Sequence, residues 1–216
     1  MHLDGLGDTP TGSAATRCSP VLETFADEAD SVDRLTDLLR KAYAEHAAAG
    51  RRFFASYQSA DDTRRRVRSG ECWVAVVDDA GQDHELSVGR SAQRGPQRWY
   101  VGTVTVTGPG GFAEGYPAAG SDGSFTQLAV DPAWRGTGLG HRLLAWAEDR
   151  LTAAGCEAVV IDTSSQAVDL LAWYRRRGYE PVGTWRWSVT NYDSIVLRKP
   201  LRAHLKSGLM TGEAEG

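Results

Sequence analysis

Hydrophobic residues recur along this chain with two different spacings. Where they alternate with polar residues or run continuously they predict β-strands, and where they recur every three or four residues they predict helices. The predicted strands cover residues 21–26, 73–77, 99–107, 124–130 and 158–161, with two more near residues 181–187 and 192–199. Because residues 158–161 are apolar throughout, we expect that strand to be buried on both faces.

Helical spacing occurs in four segments. The first helix carries an apolar stripe of Leu35, Leu38, Leu39 and Ala42. Ser31 is its expected N-cap. The other helices are predicted over residues 61–68, 139–154 and 168–177, the last ending at Gly178. The order is strand, two helices, three strands, helix, strand, helix and two strands, which predicts an α/β fold with a mixed sheet of about seven strands and helices on both faces.

The same patterns give a domain organisation. Residues 1–19 and 203–216 are rich in small and polar residues and are predicted to be disordered tails. Residues 20–202 are predicted to form one domain, because 216 residues of which 41% are hydrophobic suffice for one substantial core. Residues 78–98 and 108–123 are long connections, and the second is expected to be mobile or to face a substrate rather than to lie in the core.

Charge argues against a nucleic-acid partner. The formal net charge is -4, and most arginines are scattered or interleaved with acidic residues. The two basic runs, residues 64–66 and 175–177, lie on predicted helices, where we expect them to form solvated faces.

Cysteine usage and the start of the chain bear on its compartment. Cys18, Cys72 and Cys156 are odd in number and widely separated, which favours neither a disulfide framework nor a metal site. The first residues lack the pattern of a signal peptide, and no window resembles a membrane span. We therefore expect a cytoplasmic protein that uses no metal and does not contact a membrane.

The segment of residues 128–141 carries the strongest chemical signal. A predicted strand leads into a turn in which Gly136, Gly138 and Gly140 alternate, and helical spacing begins at Leu139. Free N–H groups in the first turn of that helix, its dipole and the nearby Arg135 favour phosphate oxygens. The lysine and hydroxyl residue of a P-loop are absent, so the turn is expected to hold a ligand rather than to transfer its phosphate.

Two other interpretations of these glycines remain. A dinucleotide fold would use Asp162 as the ribose-binding acid, but His141 occupies the third glycine position of that motif and the turn begins too far from the strand. The second interpretation is a tight turn that binds no ligand.

Residues 128–140, followed about thirty residues later by residues 171–179, resemble the two signature motifs of the GNAT superfamily of N-acetyltransferases. The resemblance covers most of the folded region. It implies a GNAT-like domain whose sheet splays apart between the fourth and fifth strands. It also implies acetyl-CoA as the cosubstrate and direct transfer of the acetyl group to an amine in a ternary complex.

The resemblance also assigns residues. The strand Leu128-Ala129-Val130 would pair through its backbone with the pantetheine arm, and the pyrophosphate would lie on Arg135, Gly136, Thr137, Gly138, Leu139 and Gly140. Tyr174 matches the tyrosine that protonates the leaving thiolate and contacts the cosubstrate. Ordinary packing on the helix is the competing interpretation of Tyr174. Ala167 stands where many members of the family have an asparagine that contacts the cosubstrate.

No residue of the sequence matches the general base of the family. Many relatives have a glutamate on the fourth strand, whereas residues 123–130 contain no acid. Glu114, Asp122 and Asp162 are the nearest carboxylates, and we expect each to be a solvated loop acid or a strand-end cap. His46 and His84 are expected at the surface.

The acceptor is expected to lie between the first two helices and the last two strands. These segments carry the aromatic residues Phe53, Phe54, Tyr57, Trp185, Trp187 and Tyr192. Of these, Phe54, Tyr57, Trp187 and Tyr192 are the substrate-binding candidates. They suit a flat apolar molecule or an amine held by cation–π contact, although aromatic residues here also serve as core. A small-molecule amine is favoured. A peptide or protein N-acetyltransferase, a non-catalytic sensor that binds acetyl-CoA, and a homodimer all remain open.

Overall fold

Seven strands form two sheets in the part of the chain that the computed structural model describes, residues 19–79 and 97–201. The first sheet has the order β1-β2-β3-β4 and the second the order β5-β7-β6. The strands are β1 (Val21–Thr24), β2 (Glu71–Asp79), β3 (Gln97–Thr107), β4 (Ser124–Val130), β5 (Ala158–Ser164), β6 (Glu180–Trp185) and β7 (Ser194–Pro200). The two predicted tails, Cys18, His84 and most of the connection 78–98 lie outside the described residues.

Four α-helices flank these sheets in the described ranges: α1 (Ala29–Ala48), α2 (Ala60–Arg68), α3 (Leu139–Ala153) and α4 (Val168–Arg175). The predicted order of elements and the α/β fold class are confirmed. None of the described helices is long and apolar enough to cross a membrane.

The start of α1 was predicted wrongly. The helix begins at Ala29 with Glu28 as its N-cap, and Ser31 lies inside the first turn, buried. The Glu28 carbonyl accepts a hydrogen bond from the Val32 N–H at 3.0 Å, so the helix is already closed before Ser31. The second helix, predicted over residues 61–68, begins at Ala60, where Ser59 and Asp62 form a capping box.

Two apolar clusters hold the helices to opposite faces of the sheets. On one face, Leu143, Leu144 and Leu151 of α3 are buried with residues of β3, β5 and α4. On the other face, the predicted stripe of α1 packs on β2 and on Ala129 of β4. The β4 strand therefore has a helical layer on each side, which fixes it as the centre of the fold.

The two sheets meet only at the start of β4 and β5. Gly123 N donates to the Ala158 carbonyl at 2.9 Å, and Val160 N donates to the Gly123 carbonyl at 2.8 Å. A Cβ atom at Gly123 would lie 2.6 Å from the Cys156 sulfur and 2.6 Å from Leu151, so this close approach requires glycine. After this contact the strands diverge, which leaves a gap in the middle of the sheet.

Candidate functional site

A groove of about 700 Å³ opens into the gap between the two sheets. Its walls are residues 128–130 of β4, the glycine-rich turn, the end of α1 and residues of the segment 166–177, which contains α4. The predicted divergence of the fourth and fifth strands is therefore present, and it brings together the two motifs found in the sequence. Leu128, Ala129, Val130, Gly136, Gly138, Gly140 and Tyr174 all line this groove.

The glycine-rich turn presents backbone donors to the groove. Gly136 and Gly138 have φ values of +77° and +86°, and Gly138 is the N-cap of α3 without a side-chain cap. The N–H groups of Gly136, Gly138 and Gly140 have no acceptor among the described residues. Helix dipole and free donors favour an anion here, so the turn fits a phosphate-bearing ligand.

The side chains of the other residues of the turn bond or pack within the protein and hold the turn in place. The Arg135 guanidinium donates to the Glu45 carboxylate at 2.6 Å and to the Ala42 carbonyl at 2.7 Å, and its own N–H is bonded to Pro132 at 3.3 Å. The side chain predicted to face a phosphate thus ties the turn to α1. Thr137 Oγ1 donates to the Trp134 carbonyl at 2.7 Å, and the Leu139 side chain is buried.

The prediction that the second basic run forms a solvated face is wrong for Arg177. Arg175 and Arg176 are exposed as expected, but Arg177 lies over the Trp173 ring at 3.8 Å and lines the groove. Its buried Nε atom has no hydrogen-bond partner. A buried donor without a partner carries a free-energy cost that a ligand oxygen would remove, so this position also fits an anionic ligand.

Tyr174 reaches the groove from α4. The residue is 6% exposed, and its ring packs edge-on against Trp173 at 4.9 Å and Tyr179 at 5.4 Å. Its hydroxyl forms no hydrogen bond within the described ranges. Burial raises the pKa of Tyr174, because the phenolate is the charged form. The phenol is therefore held protonated with its proton free to be donated.

Tyr43 was not foreseen from the sequence. Its hydroxyl donates a hydrogen bond of 3.0 Å to the Leu128 carbonyl, on the strand that borders the gap. Burial raises its pKa, so it remains a donor. Tyr43 follows the apolar stripe of α1, and that position was the only sequence signal that it faces the sheet.

Asp162 departs from the solvated acid that was expected. It follows Val160, whose N–H donates to the Gly123 carbonyl just before β4, by two positions, so it lies next to the point where the two strands diverge. Its carboxylate accepts a hydrogen bond from Trp187 Nε1 at 2.9 Å and one from the Tyr116 hydroxyl at 3.2 Å. Its charge contributes, after burial, to the raised pKa values of Tyr174 and Tyr192.

The other two carboxylates do not reach the gap. Glu114 is exposed, as expected. Asp122 is fully buried rather than solvated, and it accepts hydrogen bonds from Arg198 at 2.8 and 3.0 Å and from the Ala119 N–H at 2.9 Å. Burial opposes its ionisation, but these donors hold the pKa of Asp122 below its usual value. Asp122 is a structural acid.

The predicted acceptor aromatics divide into two groups. Phe53 and Tyr192 are buried against each other at 5.1 Å, and His46 stacks on Phe53 at 4.4 Å rather than lying at the surface. Phe54 and Tyr57 pack edge-on at 5.3 Å, and the Tyr57 hydroxyl donates to Val189 at 2.6 Å. That bond joins the α1–α2 segment to the β6–β7 loop.

Trp187 belongs to a further aromatic group around Asp162. Its ring centroid lies 5.9 Å from those of Tyr116 and Trp185. Trp187 is 36% exposed, so this group reaches the protein surface. No group of His, Cys, Asp or Glu side chains that could hold a metal ion occurs in the described part of the chain.

Comparison with known families agrees with this geometry. A family model described as "Acetyltransferase (GNAT) family" matches residues 33–179, which include the glycine-rich turn, the gap and Tyr174. The chain belongs to the GNAT acetyltransferase family. Members of this family use acetyl-CoA.

Curated GNAT relatives resemble only part of the chain. An IAA acetyltransferase of Azospirillum brasilense is 32% identical over 97 residues, which are 45% of this chain and 62% of the relative. An amino-acid acetyltransferase of Ectopseudomonas mendocina is 42% identical over 94 residues, 40% of this chain and 21% of the relative. The chain therefore spans less than two thirds of the length of these relatives.

Solved GNAT structures share the fold over a longer range. The NatC complex bound to Gag peptide and CoA has a chain that aligns with a TM-score of 0.56 at 15% identity, over 85% of this chain and 99% of that one. At this level of identity the comparison bears on the fold alone.

Proposed function

We propose that this protein transfers the acetyl group of acetyl-CoA to the amino group of a small molecule, by direct attack within a ternary complex. The observation that carries the proposal is the groove itself. It joins a row of free backbone donors at Gly136, Gly138 and Gly140 to the unbonded hydroxyl of Tyr174 across a gap in the sheet.

The residues at the two ends of the groove fit the two ends of this cosubstrate. The glycine N–H groups, the start of α3 and Arg177 would hold the phosphates. The backbone of residues 128–130 would pair with the amides of the pantetheine arm in the manner of an added strand. When bound, acetyl-CoA supplies an acetyl thioester, and the reacting bond would lie near Tyr174.

Tyr174 and Asp162 would move the two protons that the reaction requires. Asp162 accepts a proton from the ammonium group of the acceptor, so that the nitrogen becomes a nucleophile. The new bond joins that nitrogen to the acetyl carbon, and the bond from that carbon to sulfur breaks. Tyr174 then donates its proton to the departing sulfur, and its oxygen takes up the second proton that the attacking nitrogen loses, so that the products are the neutral amide and the CoA thiol. The donors Tyr116 and Trp187 orient Asp162.

A small acceptor is supported by two observations. The hydrogen bond from Tyr57 to Val189 closes the α1–α2 segment onto the β6–β7 loop, which narrows access to the gap from that side. The relatives with the names IAA acetyltransferase and amino-acid acetyltransferase are named for small molecules.

The test uses the full chain with acetyl-CoA and a panel of amines and short peptides. Release of the CoA thiol is followed with a thiol reagent, and acetyl-CoA binding is measured by calorimetry. We expect thiol release that depends on a small amine. Turnover of peptides alone would favour a peptide N-acetyltransferase, binding without any turnover would favour a sensor, and absence of acetyl-CoA binding would refute the proposal.

Asp162→Asn tests the proposed base. We expect kcat at pH 7 to fall about 10²-fold, because a positioned base contributes at least that factor. The loss should shrink as the pH approaches about 10, where an alkyl amine is neutral without help. Glu114→Gln is the matched control, since Glu114 is exposed and away from the groove.

A further inference from the structure

Arg66 is the member of the first basic run that does not lie on a solvated face. Its side chain is partly buried, and burial lowers its pKa. Nη1 donates to the Oε1 atom of the fully buried Gln58 at 2.8 Å, and the guanidinium lies 5.5 Å from the centre of the Phe54 ring. The prediction of a solvated face is therefore wrong for this residue.

Neighbouring arginines on α2 have carboxylate partners that Arg66 lacks. Arg64 and Arg68 both pair with Asp27, and Arg65 pairs with Asp62. Within the described ranges no carboxylate lies within 4.0 Å of the Arg66 guanidinium. Arg66 is thus a partly buried arginine of α2 whose charge no carboxylate of the described ranges meets within this distance. Such a charge is costly unless an anion meets it.

Arg66 lies on the acceptor side of the gap. Phe54, which it covers, belongs to the α1–α2 segment that is bonded to the β6–β7 loop through Tyr57. On the other side of the Tyr57–Val189 hydrogen bond, Trp187 of the same β6–β7 loop donates to the Asp162 carboxylate at 2.9 Å. The contacts of Arg66 and those of Asp162 therefore meet at the junction of the α1–α2 segment with this loop.

We propose that Arg66 binds an acidic group of the acceptor while Asp162 binds its amine, so that the acceptor is a zwitterion such as an α-amino acid or an aminophosphonate. This inference rests on the acetyl transfer proposed above and narrows it. The planar fork of arginine matches the oxygens of a carboxylate or phosphonate. The aromatic rings of Phe54 and Trp187 lie beside the two charges, where they can contact an apolar body.

The experiment compares α-amino acids with the amines that lack their carboxylate and with the matching aminophosphonates. For the natural chain we expect kcat/KM to be at least about tenfold higher for the acid-bearing member of each pair. The aminophosphonate arm shows which acidic group fits better.

Arg66→Gln should raise KM for the acid-bearing member by about tenfold to hundredfold, and leave the plain amine within about threefold. Arg66→Lys should recover part of the preference, because it keeps the charge. Arg65→Gln is the matched control on the same helix, since Arg65 is largely exposed and paired with Asp62. Thermal unfolding of each variant checks that the chain is folded.

Calorimetry with the same compounds separates this inference from the proposed function. If acid-bearing compounds bind in a manner that depends on Arg66 but no amine is acetylated, the site assignment stands and the acetyl transfer fails. If the plain amines are preferred, if Arg66→Gln weakens both members equally, or if no acid-bearing compound binds or reacts, the inference is overturned.

Discussion

The Tyr43 hydroxyl donates a 3.0 Å hydrogen bond to the Leu128 carbonyl and thereby anchors α1 to the strand that borders the gap. We predict that Tyr43→Phe lowers the free energy of unfolding by about 1 kcal/mol, because the carbonyl loses a partner in a partly buried place. Urea denaturation measures the change. Tyr100→Phe is the matched control, since the Tyr100 hydroxyl has no hydrogen bond among the described residues, and an equal loss there would contradict the assignment.

Gly138 is expected to contribute to acetyl-CoA binding as well as to the backbone conformation of the turn. Gly138→Ala places a side chain at φ +86°, with no protein atom within 4 Å of the new Cβ. We expect a loss of about 1 kcal/mol in stability from the left-handed backbone, and about a tenfold weaker affinity for acetyl-CoA, measured by calorimetry.

Gly155→Ala provides the control for that variant. Gly155 has φ +80° and the same open surroundings, but it lies at the other end of α3 and does not line the groove. The two variants should lose similar stability, and only Gly138→Ala should lose affinity. Equal affinities would show that the turn does not hold the ligand.

Tyr174→Phe should reduce kcat about 10²-fold and leave the KM for acetyl-CoA within about twofold, because the ring remains and only the proton is removed. Steady-state kinetics checks both values. Tyr179→Phe is the structural comparison: that phenol donates to Glu148 at 2.9 Å, so its loss should lower stability by about 1 kcal/mol without changing kcat.

The pH profile gives an independent test of Tyr174. Burial raises its pKa, so its phenol stays protonated over the usual assay range. The kcat of the natural chain should therefore not decline between about pH 7 and about pH 10. A decline in that interval that disappears in Tyr174→Phe would contradict the raised pKa.

Asp122 should make the fold sensitive to acid. Its pKa in the folded chain lies below the usual value, although burial acts against this, because Arg198 and the Ala119 N–H stabilise the carboxylate. The stability it contributes is present above about pH 4 and is lost as the pH falls through the lower folded pKa.

Asp122→Asn should accordingly cost about 2 kcal/mol at pH 7, and the difference from the natural chain should narrow towards about pH 3. Urea unfolding at both pH values measures it. A difference that stays constant with pH would mean that the charge of Asp122 contributes nothing.

The periodic pattern predicted the elements well where they bury apolar residues at regular spacing, as α1, α3 and β5 do. The order of elements followed from it, whereas the start of α1 did not. Ser31 has the local chemistry of a cap, but the helix begins earlier because the Glu28 carbonyl is already bonded to Val32. The capping propensity of a single residue does not show which of two neighbouring turns begins the helix.

The sequence predicted residues that line the groove beside the glycine-rich turn, and it did not predict the residues that gather around Asp162. The glycines and Tyr174 lie within one stretch of about forty residues, at spacings that reflect a shared geometry. Arg66, Tyr116 and Asp162 come from three separate segments, and only the folded chain brings them to one region. A basic run on a helix also gives no sign of which arginine turns inward.

The divergence of β4 and β5 creates a strand edge inside the protein. An outer strand must protect its unpaired backbone from other chains, usually with charges or bulges. Here the strand edge at residues 128–130, where Tyr43 already bonds the Leu128 carbonyl, lies in a groove between α1 and α4, where a folded partner cannot enter but a thin, flexible molecule with amide groups can. The position of this strand edge thus restricts backbone pairing to molecules that are thin enough to enter the groove.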